Sequence, residues 1–340
     1  MPEKNNAPLP NGFELEGYVI DKRLSLGGFS IVYLAHDRDY RQYAIKEYLP
    51  HSLALRAPGE IRPTIPAEHL NLFRHGLLCF FEEGRALARL AHPNVVRVIN
   101  FFRANDTVYL VMKYEHGSTL QVYAHKSPEV RNERFLRYVF IHLMNGLRTV
   151  HAQKLLHLDI KPANIYIRRN KTPVLLDFGS VKKALSSAAE NLPKPMYTPG
   201  FASPEHYGDR AEIGPWSDIY GIGASLYTCL SKTTPQPADE RLKNDKLTPA
   251  SKRWRGEYSQ HFLETMDQCL QLDHRARLQS AFALQKRLAE RGDLLPNDID
   301  KSGKAAWLAR FFRRLEDELA APSQPAAPAS VLSTPPVRHP

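Results

Sequence analysis

The feature that most constrains the fold of this chain is a polar run near its middle, His157–Asn164, which reads HLDIKPAN. A second polar run, Asp177–Gly179, reads DFG and follows the short apolar segment Val174–Leu176. An apolar segment of that length between polar residues predicts a strand. Before the first run, apolar residues recur every three or four positions from Phe135 to Val150, which predicts a helix. The first polar run therefore follows a predicted helix, and the second follows a predicted strand.

The two polar runs contain the side chains that phosphoryl transfer needs. A carboxylate must position the attacking hydroxyl and accept its proton, and a cation must offset the charge of the transferred group. Hard oxygen ligands must also hold Mg²⁺ against the nucleotide phosphates. We interpret Asp159 as the base and Lys161 as the cation, and we interpret Asn164 and Asp177 as the metal ligands. The alternative is that these residues only cap turns in an ordinary α/β loop.

In order and spacing, the two runs resemble the catalytic-loop and metal-loop signatures of the eukaryotic-type (Hanks-type) serine/threonine protein kinases, here in a bacterial version. The resemblance covers most of the chain. It implies an α+β, two-lobed protein kinase fold, in which a small antiparallel β-sheet N-lobe with one helix precedes a larger, mainly helical C-lobe. It also implies ATP and Mg²⁺ as cofactors, and protein Ser and Thr hydroxyls as acceptors, with autophosphorylation.

A glycine pair, Gly27-Gly28, separates two apolar segments and predicts a strand, turn and strand whose backbone can approach phosphate oxygens. Compared with the kinase glycine-rich loop, Gly27 occupies the second glycine position, whereas Ser25 and Ser30 replace the first and third glycines. Because two of the three glycines are absent, this motif by itself does not predict how tightly nucleotide binds. A plain hairpin is the alternative interpretation.

The resemblance also implies which residues surround the nucleotide base. Leu24, Val32 and Ala44 would cover an adenine ring, Met112 would lie behind it, and Tyr114 would belong to the hinge between the lobes. The full implied cofactor-binding set is Leu24, Ser25, Gly27, Gly28, Val32, Ala44, Lys46, Met112, Tyr114 and Tyr166.

Lys46 ends an apolar segment that reads as a buried strand, although lysine is seldom buried without a partner. By resemblance, Lys46 holds the α and β phosphates and pairs with a glutamate on the following helix, so both residues are counted as catalytic. Helical spacing places Glu83 on one face with Phe80 and Leu87, which favours Glu83 over Glu82 as that partner.

Two segments of the predicted N-lobe lie beyond these motifs. Residues 47–78 contain four prolines and resemble an insertion found in one group of bacterial kinases. We interpret this insertion as a surface loop without a chemical role, with partner docking as the alternative. The alternating runs 95–101 and 107–113 predict a β-hairpin that completes a small antiparallel sheet.

The C-terminal half contains further matches to the family. Thr198 lies where serine/threonine kinases keep a threonine that bonds the catalytic aspartate and lysine. Asp218 matches an aspartate that braces the catalytic loop, and Arg277 matches the partner of Glu205. Leu158 replaces an arginine that usually pairs with an activation-segment phosphate, so we hypothesise that activity does not depend on such a phosphate. Ser186 and Ser187 are the candidate positions for that phosphate.

The domain organisation follows from where the kinase pattern begins and ends. We expect an N-terminal tail over 1–16 and a kinase domain over 17–291, with an N-lobe over about 17–114 and a C-lobe over about 115–291. Beyond it, 292–320 form an amphipathic helical extension and 321–340 a Pro/Ala-rich disordered tail. The apolar stripe predicts a helix over 305–319 that docks on its own lobe, on a partner or on a membrane surface.

Charge and cysteine content limit the functional class. The net charge is +10, but the basic residues are scattered among acidic ones, so we expect no nucleic-acid partner. Three unpatterned cysteines, the lack of a signal pattern and the lack of a long apolar run predict a cytoplasmic protein without a transmembrane segment. Two alternatives to an active protein kinase remain, a pseudokinase scaffold or binding module and a small-molecule kinase of related fold.

Overall fold

The computed structural model describes residues 6–178, 197–208 and 212–290. In these ranges, an antiparallel sheet with one long helix precedes a mainly helical part, which confirms the predicted two-lobed α+β architecture. The predicted helix over 305–319, the tail over 321–340, and Ser186 and Ser187 lie outside the described residues. Within the described part of the chain, every helix is too short or too polar to cross a bilayer.

The N-lobe is built on one six-stranded antiparallel sheet. Its strands are β1 (Glu14–Leu15), β2 (Tyr18–Leu26), β3 (Ser30–His36), β4 (Gln42–Tyr48), β5 (Val98–Ala104) and β6 (Thr107–Lys113). They are ordered β1-β2-β3-β4-β6-β5. The predicted hairpin therefore forms, but β5 begins at Val98 instead of residue 95. Val95 instead forms a bridge with Leu175 in the C-lobe.

The turn of this hairpin explains why β5 extends to Ala104. Only Asn105 and Asp106 leave the strand conformation, with φ angles of 50° and 58°. Two successive residues with positive φ are typical of tight hairpin turns, and Asn and Asp tolerate that conformation. The turn between β5 and β6 is therefore only two residues long.

Helix α1 (Leu70–Ala88) packs its buried face, which includes Phe73, Phe80, Glu83 and Leu87, against this sheet. Gly84 lies on the same face, and a Cβ atom at this position would overlap the side chain of Leu110 on β6. Glycine costs a helix about 1 kcal/mol compared with alanine. Here that cost is offset, because the missing side chain lets the helix approach the sheet.

The interpretation of the insertion between β4 and α1 as a surface loop is wrong. Its apolar residues Leu49, Leu53 and Ala54 belong to the N-lobe core. The side chain of Arg56 is fully buried, and its guanidinium contacts the Glu47 carboxylate at 2.6 and 2.7 Å. The segment is therefore part of the lobe, because it fills the core with apolar side chains and a paired charge.

Residues 6–16, which were predicted as part of an N-terminal tail, also pack against the N-lobe. Asn6 is buried and donates hydrogen bonds to the carbonyl oxygens of Leu49 and Ala54, while its own side-chain oxygen accepts from the Arg56 amide. Leu9 is buried in the same core. The predicted boundary at residue 17 therefore lies inside the packed structure.

The C-lobe contains seven helices among the described residues and a small sheet. The helices are α2 (Leu120–Lys126), α3 (Glu133–Ala152), α4 (Pro215–Ser231), α5 (Ala238–Lys243), α6 (Ala250–Arg253), α7 (Gln260–Cys269) and α8 (Ala281–Ala289). The sheet is ordered β7 (Gly117–Thr119), β8 (Ile165–Arg168) and β9 (Pro173–Leu175). The predicted helix before the first polar run is confirmed as α3, and the Asn132 side chain caps its start by accepting from the Phe135 amide.

The partly buried His142 on α3 makes stability depend on pH. Burial, aided by the charge of His92, lowers the pKa of His142 to about 4, against about 6.5 in an unfolded chain. Because the folded-state pKa is the lower one, the unfolded chain takes up the proton more readily than the folded chain. The free energy of unfolding therefore falls as the pH drops below about 6.5. We expect His142 to cost the wild type about 1–2 kcal/mol of unfolding free energy between about pH 7 and pH 5, and His142→Gln to remove that part of the decline. Urea unfolding at both pH values checks this, and parallel declines would contradict it.

Candidate active site

The loop between α3 and β8 holds Asp159, Lys161 and Asn164 at the junction of the lobes. The Lys161 ammonium lies 3.0 Å from Asp159 Oδ2 and donates a hydrogen bond of 2.8 Å to Thr198 Oγ1. The Thr198 hydroxyl in turn donates to Asp159 Oδ1 at 2.8 Å. Carboxylate, ammonium and hydroxyl therefore form a closed triangle, which fixes the direction of the Asp159 carboxylate.

The orientation of Asn164 is set by the same carboxylate. Its side-chain Nδ2 donates to both the backbone oxygen and Oδ2 of Asp159, each at 2.9 Å. Because the nitrogen of the amide faces Asp159, its Oδ1 atom lies on the opposite side of the amide group. Asn164 therefore directs an oxygen away from the Asp159 carboxylate, and an amide oxygen is a suitable ligand for a hard cation.

Lys46, on β4, crosses the cavity to the second polar run. Its ammonium lies 3.0 Å from Asp177 Oδ1. Burial alone would lower the pKa of Lys46, but the negative charges of Asp177 and Glu83 raise it, so the side chain stays protonated. Glu83 is buried on α1, whereas Glu82 is exposed and pairs with Arg85 at 2.5 Å.

His157 joins the two polar runs, a role that no sequence pattern indicated. Its Nε2 atom lies 2.8 Å from the carbonyl oxygen of Leu176, and its Nδ1 atom accepts from the Asp159 amide at 3.3 Å. Burial lowers the pKa of His157, so the ring is neutral with its proton on Nε2. Its ring also lies 4.5 Å from that of Phe178, which packs in the core between the lobes.

Asp218, on α4, contacts the backbone of the loop between α3 and β8 and holds it in place, as predicted. Its carboxylate accepts from the amides of His157 and Leu158 at 3.0 and 2.7 Å and lies 2.8 Å from His151 Nε2. Burial alone would raise the pKa of Asp218, but the His151 contact and these amides lower it. Leu158 has a φ angle of 61°, an unfavourable conformation for leucine that the Asp218 contact holds in place.

The second predicted scaffold contact is also present. The Arg277 guanidinium contacts both carboxylate oxygens of Glu205, at 2.7 and 2.9 Å, and Ser217 Oγ donates to Glu205 Oε1 at 2.8 Å. Burial alone would raise the pKa of Glu205, but the hydrogen bonds and charge of Arg277 lower it. This fully paired ion pair fixes the chain shortly after Thr198.

A cavity of about 220 Å³ lies between the glycine turn and the polar runs. It is lined by Gly27, Gly28, Phe29, Ser30, Lys46, Tyr48, Phe80, Asp159, Lys161, Asn164, Asp177 and Phe178. The structure thus brings together both predicted turn glycines and all the predicted catalytic and metal-binding residues except Glu83, which is buried on α1. Aromatic walls from Phe29, Tyr48 and Phe80 were not predicted as site residues. Only Phe80 had a sequence signal, because it shares a helix face with Glu83.

The remaining predicted cofactor-binding residues do not line this cavity. Strand pairing places Ser25 opposite Val32, Val32 opposite Lys46, and Ala44 opposite Met112. Ala44 and Tyr166 pack against the core between the lobes, to which Met112 belongs. Leu24 is 40% exposed. Val32 therefore lies next to Lys46, which lines the cavity, and Ser25 lies one strand further away. Ala44, Met112 and Tyr166 belong to an apolar cluster at the junction of the lobes.

The predicted hinge around Tyr114 is anchored to the small C-lobe sheet. The Tyr166 hydroxyl donates to the carbonyl oxygen of Glu115 at 3.1 Å. The Glu115 carboxylate makes two contacts of 2.7 Å with the Arg168 guanidinium on β8. The Tyr114 ring contacts that of His116 edge to face, with centroids 5.0 Å apart.

The glycine turn is held by the insertion. His51 donates its backbone amide to the carbonyl oxygen of Gly28 at 3.1 Å, and its ring Nδ1 lies 2.9 Å from the same oxygen. The next residue, Phe29, accepts a hydrogen bond from the Leu49 amide at 2.9 Å. No sequence signal indicated these contacts, because they join residues 20 and 23 positions apart.

Comparison with known proteins places this geometry in a family. The chain matches the protein kinase domain over residues 18–288. It is 30% identical over 223 residues to serine/threonine-protein kinase B of Synechocystis, covering 62% of this chain and 38% of that protein. It is 25% identical over 333 residues to serine/threonine-protein kinase C of the same organism, covering 94% of this chain and 56% of that protein. The chain thus spans only part of the length of these curated relatives.

Comparison with solved structures leads to the same family. The apo form of PpkA-294 is 34% identical, with a TM-score of 0.76, and the match covers 83% of this chain and 99% of that one. The PknI kinase domain of Mycobacterium tuberculosis, at 18% identity and a TM-score of 0.60, shares the fold. The chain therefore belongs to the protein kinase family, as a eukaryotic-type serine/threonine kinase of the bacterial kind.

Proposed function

We propose that this chain is an active kinase that transfers the γ-phosphoryl group of ATP to Ser and Thr hydroxyls of proteins, including its own. The observation that carries the proposal is the triangle of Asp159, Lys161 and Thr198. It holds a carboxylate ready to accept a hydroxyl proton beside a cation that offsets phosphoryl charge.

The donor set fits ATP with Mg²⁺. Asp177 supplies a carboxylate and Asn164 an amide oxygen, and Mg²⁺ prefers such ligands together with phosphate oxygens. Among the described residues no group of three or more His, Cys, Asp or Glu forms a metal site by itself. The ion would therefore be held jointly by these two side chains and the nucleotide, and when bound it offsets the charge of the phosphates. Lys46 would bind the nucleotide phosphates beside it.

Regulation without an activation-segment phosphate is part of the proposal. Position 158 is a leucine whose backbone is held by Asp218. No guanidinium follows His157 to bind such a phosphate. A Ser186→Ala/Ser187→Ala variant should then keep its activity.

A pseudokinase that binds nucleotide or protein without transfer is the second candidate, favoured by the two missing loop glycines.

We also propose a reducing compartment such as the cytoplasm, because the three cysteines are free, and burial raises the pKa of Cys229 and of Cys269 to about 12. Docking of the predicted helix over 305–319 on a partner or membrane surface, and the lack of a nucleic-acid partner, stay predictions.

Metal dependence of ATP binding tests the proposed site. We expect Mg²⁺ to tighten ATP binding to the wild type by at least about tenfold, and Asp177→Asn to lose that increase together with phosphoryl transfer. Calorimetric titration with and without the metal measures both affinities. Asp39→Asn, a matched change at an exposed carboxylate between β3 and β4, is the control. An unchanged effect of Mg²⁺ in Asp177→Asn would contradict the assignment of this ligand.

A further inference from the structure

A second pocket, of about 300 Å³, opens beside the active site in the C-lobe. It is lined by Gln121, Ala124, His125, Lys161, Pro162, Ala163, Thr198, Phe201, Thr228, Cys229, Lys232 and Thr234. Two of these residues, Lys161 and Thr198, belong to the triangle around Asp159. The pocket is therefore continuous with the place where an acceptor hydroxyl must lie.

The charge of this pocket has one sign. Its lining includes two lysines and a histidine but no aspartate or glutamate. Lys232 and His125 are exposed at its edge, and neither takes part in an ion pair among the described residues. Lys161 is already paired with Asp159. The positive charge of Lys232 is therefore available to a bound molecule.

Lys232 is fixed by the end of α4. It adopts the left-handed conformation, with a φ angle of 61°, and its amide donates to the carbonyl oxygen of Thr228 at 2.8 Å. A cation at a helix C-terminus is also favoured by the helix dipole. The backbone position of this charge is thus set by the fold.

We propose, on the basis of the proposed kinase function, that this pocket selects protein substrates with an Asp or Glu side chain close to the phosphorylated residue. Because the pocket shares Lys161 and Thr198 with the triangle, the side chain that enters it would belong to a residue only a few positions from the acceptor, at about 3.3 Å per residue of extended peptide. Pro162, Ala163 and Cys229 would contact the methylene part of the side chain, and Lys232 its carboxylate. Arginine or lysine at that position would be repelled.

A set of peptides tests this selectivity. Each has one serine in an alanine background, with Glu, Ala or Arg placed in turn at each of about four positions on either side. We expect the wild type to phosphorylate the best Glu peptide with a kcat/KM about fivefold or more above the matching Arg peptide. Lys232→Glu should reverse that order. This change keeps an unbranched side chain at the same φ, so its backbone cost is the same as that of lysine.

Lys243→Glu is the matched control, because it makes the same charge change at an exposed position on α5, outside the pocket. It should leave the Glu-to-Arg ratio of the wild type intact. A wild type that prefers Arg or shows no preference would overturn the proposal. Equal shifts in Lys232→Glu and Lys243→Glu would also overturn it, because they would indicate only a long-range effect of net charge.

Peptide binding separates this inference from the kinase function. Fluorescence anisotropy with the Asp159→Asn protein, in which phosphoryl transfer is expected to be strongly slowed, and without ATP, measures the same Glu-to-Arg preference in binding alone. A preference for Glu peptides in binding, without phosphoryl transfer by the wild type, would support the pocket and refute the kinase. Transfer without any preference would refute the pocket and leave the kinase standing.

Discussion

Asp159→Asn is expected to lower the rate of phosphoryl transfer by about 10²- to 10⁴-fold, the usual contribution of a positioned general base. The wild-type carboxylate accepts from the Thr198 hydroxyl and from Asn164, and pairs with Lys161. An amide cannot take up the hydroxyl proton, and its NH₂ group would face the donors of Lys161 or Asn164. ATP affinity should change little, because Lys46 and Asp177 remain.

Initial rates at saturating ATP, with nucleotide affinity measured on the same preparation, check this expectation. Asp39→Asn again serves as the control, because that carboxylate is exposed and outside the cavity. If Asp159→Asn kept more than roughly a tenth of the wild-type rate, Asp159 would not be the general base.

Glu47→Ala is expected to cost about 3–5 kcal/mol of unfolding free energy, the usual result of removing one partner of a buried ion pair. Both side chains of the Glu47–Arg56 pair are fully buried. Burial alone would lower the pKa of Arg56, but Glu47 raises it, so the guanidinium stays charged. Without Glu47, the partners left to this charge among the described residues would be the neutral oxygens of Tyr33, Ala7 and Ile61.

The exposed pair of Glu82 and Arg85 supplies the comparison. Glu82→Ala should cost no more than about 1 kcal/mol, because water already screens both charges. Urea unfolding of the two variants measures both values, and equal losses would contradict the account of the buried pair.

Because the Arg56 segment also holds Gly28 through His51, Glu47→Ala should weaken ATP binding as well.

The parts of this site that the sequence predicted are those fixed by local spacing. Asp159, Lys161 and Asn164 lie within one loop, so their order alone brings them together. The helix α3 was predictable from its apolar period, and the buried face of α1 from the spacing of Phe80, Glu83 and Leu87.

The parts that could not be predicted depend on contacts between distant residues. The insertion contains several prolines and was predicted to be a surface loop. In the structure, Arg56 forms hydrogen bonds with Glu47, Tyr33 and Asn6. The contact of His51 with the glycine turn depends on the same packing. Spacing along the chain has no information about such pairs, because their partners are set only when the lobe is assembled.

The most direct test of the central claim is transfer of labelled γ-phosphoryl from ATP with Mg²⁺ by the purified wild-type chain, with the modified residues located by mass spectrometry. The account predicts label on Ser or Thr, none on Tyr, and loss of the label in Asp159→Asn. Saturable ATP binding with no transfer to any Ser or Thr residue would contradict it and would identify the chain as a pseudokinase.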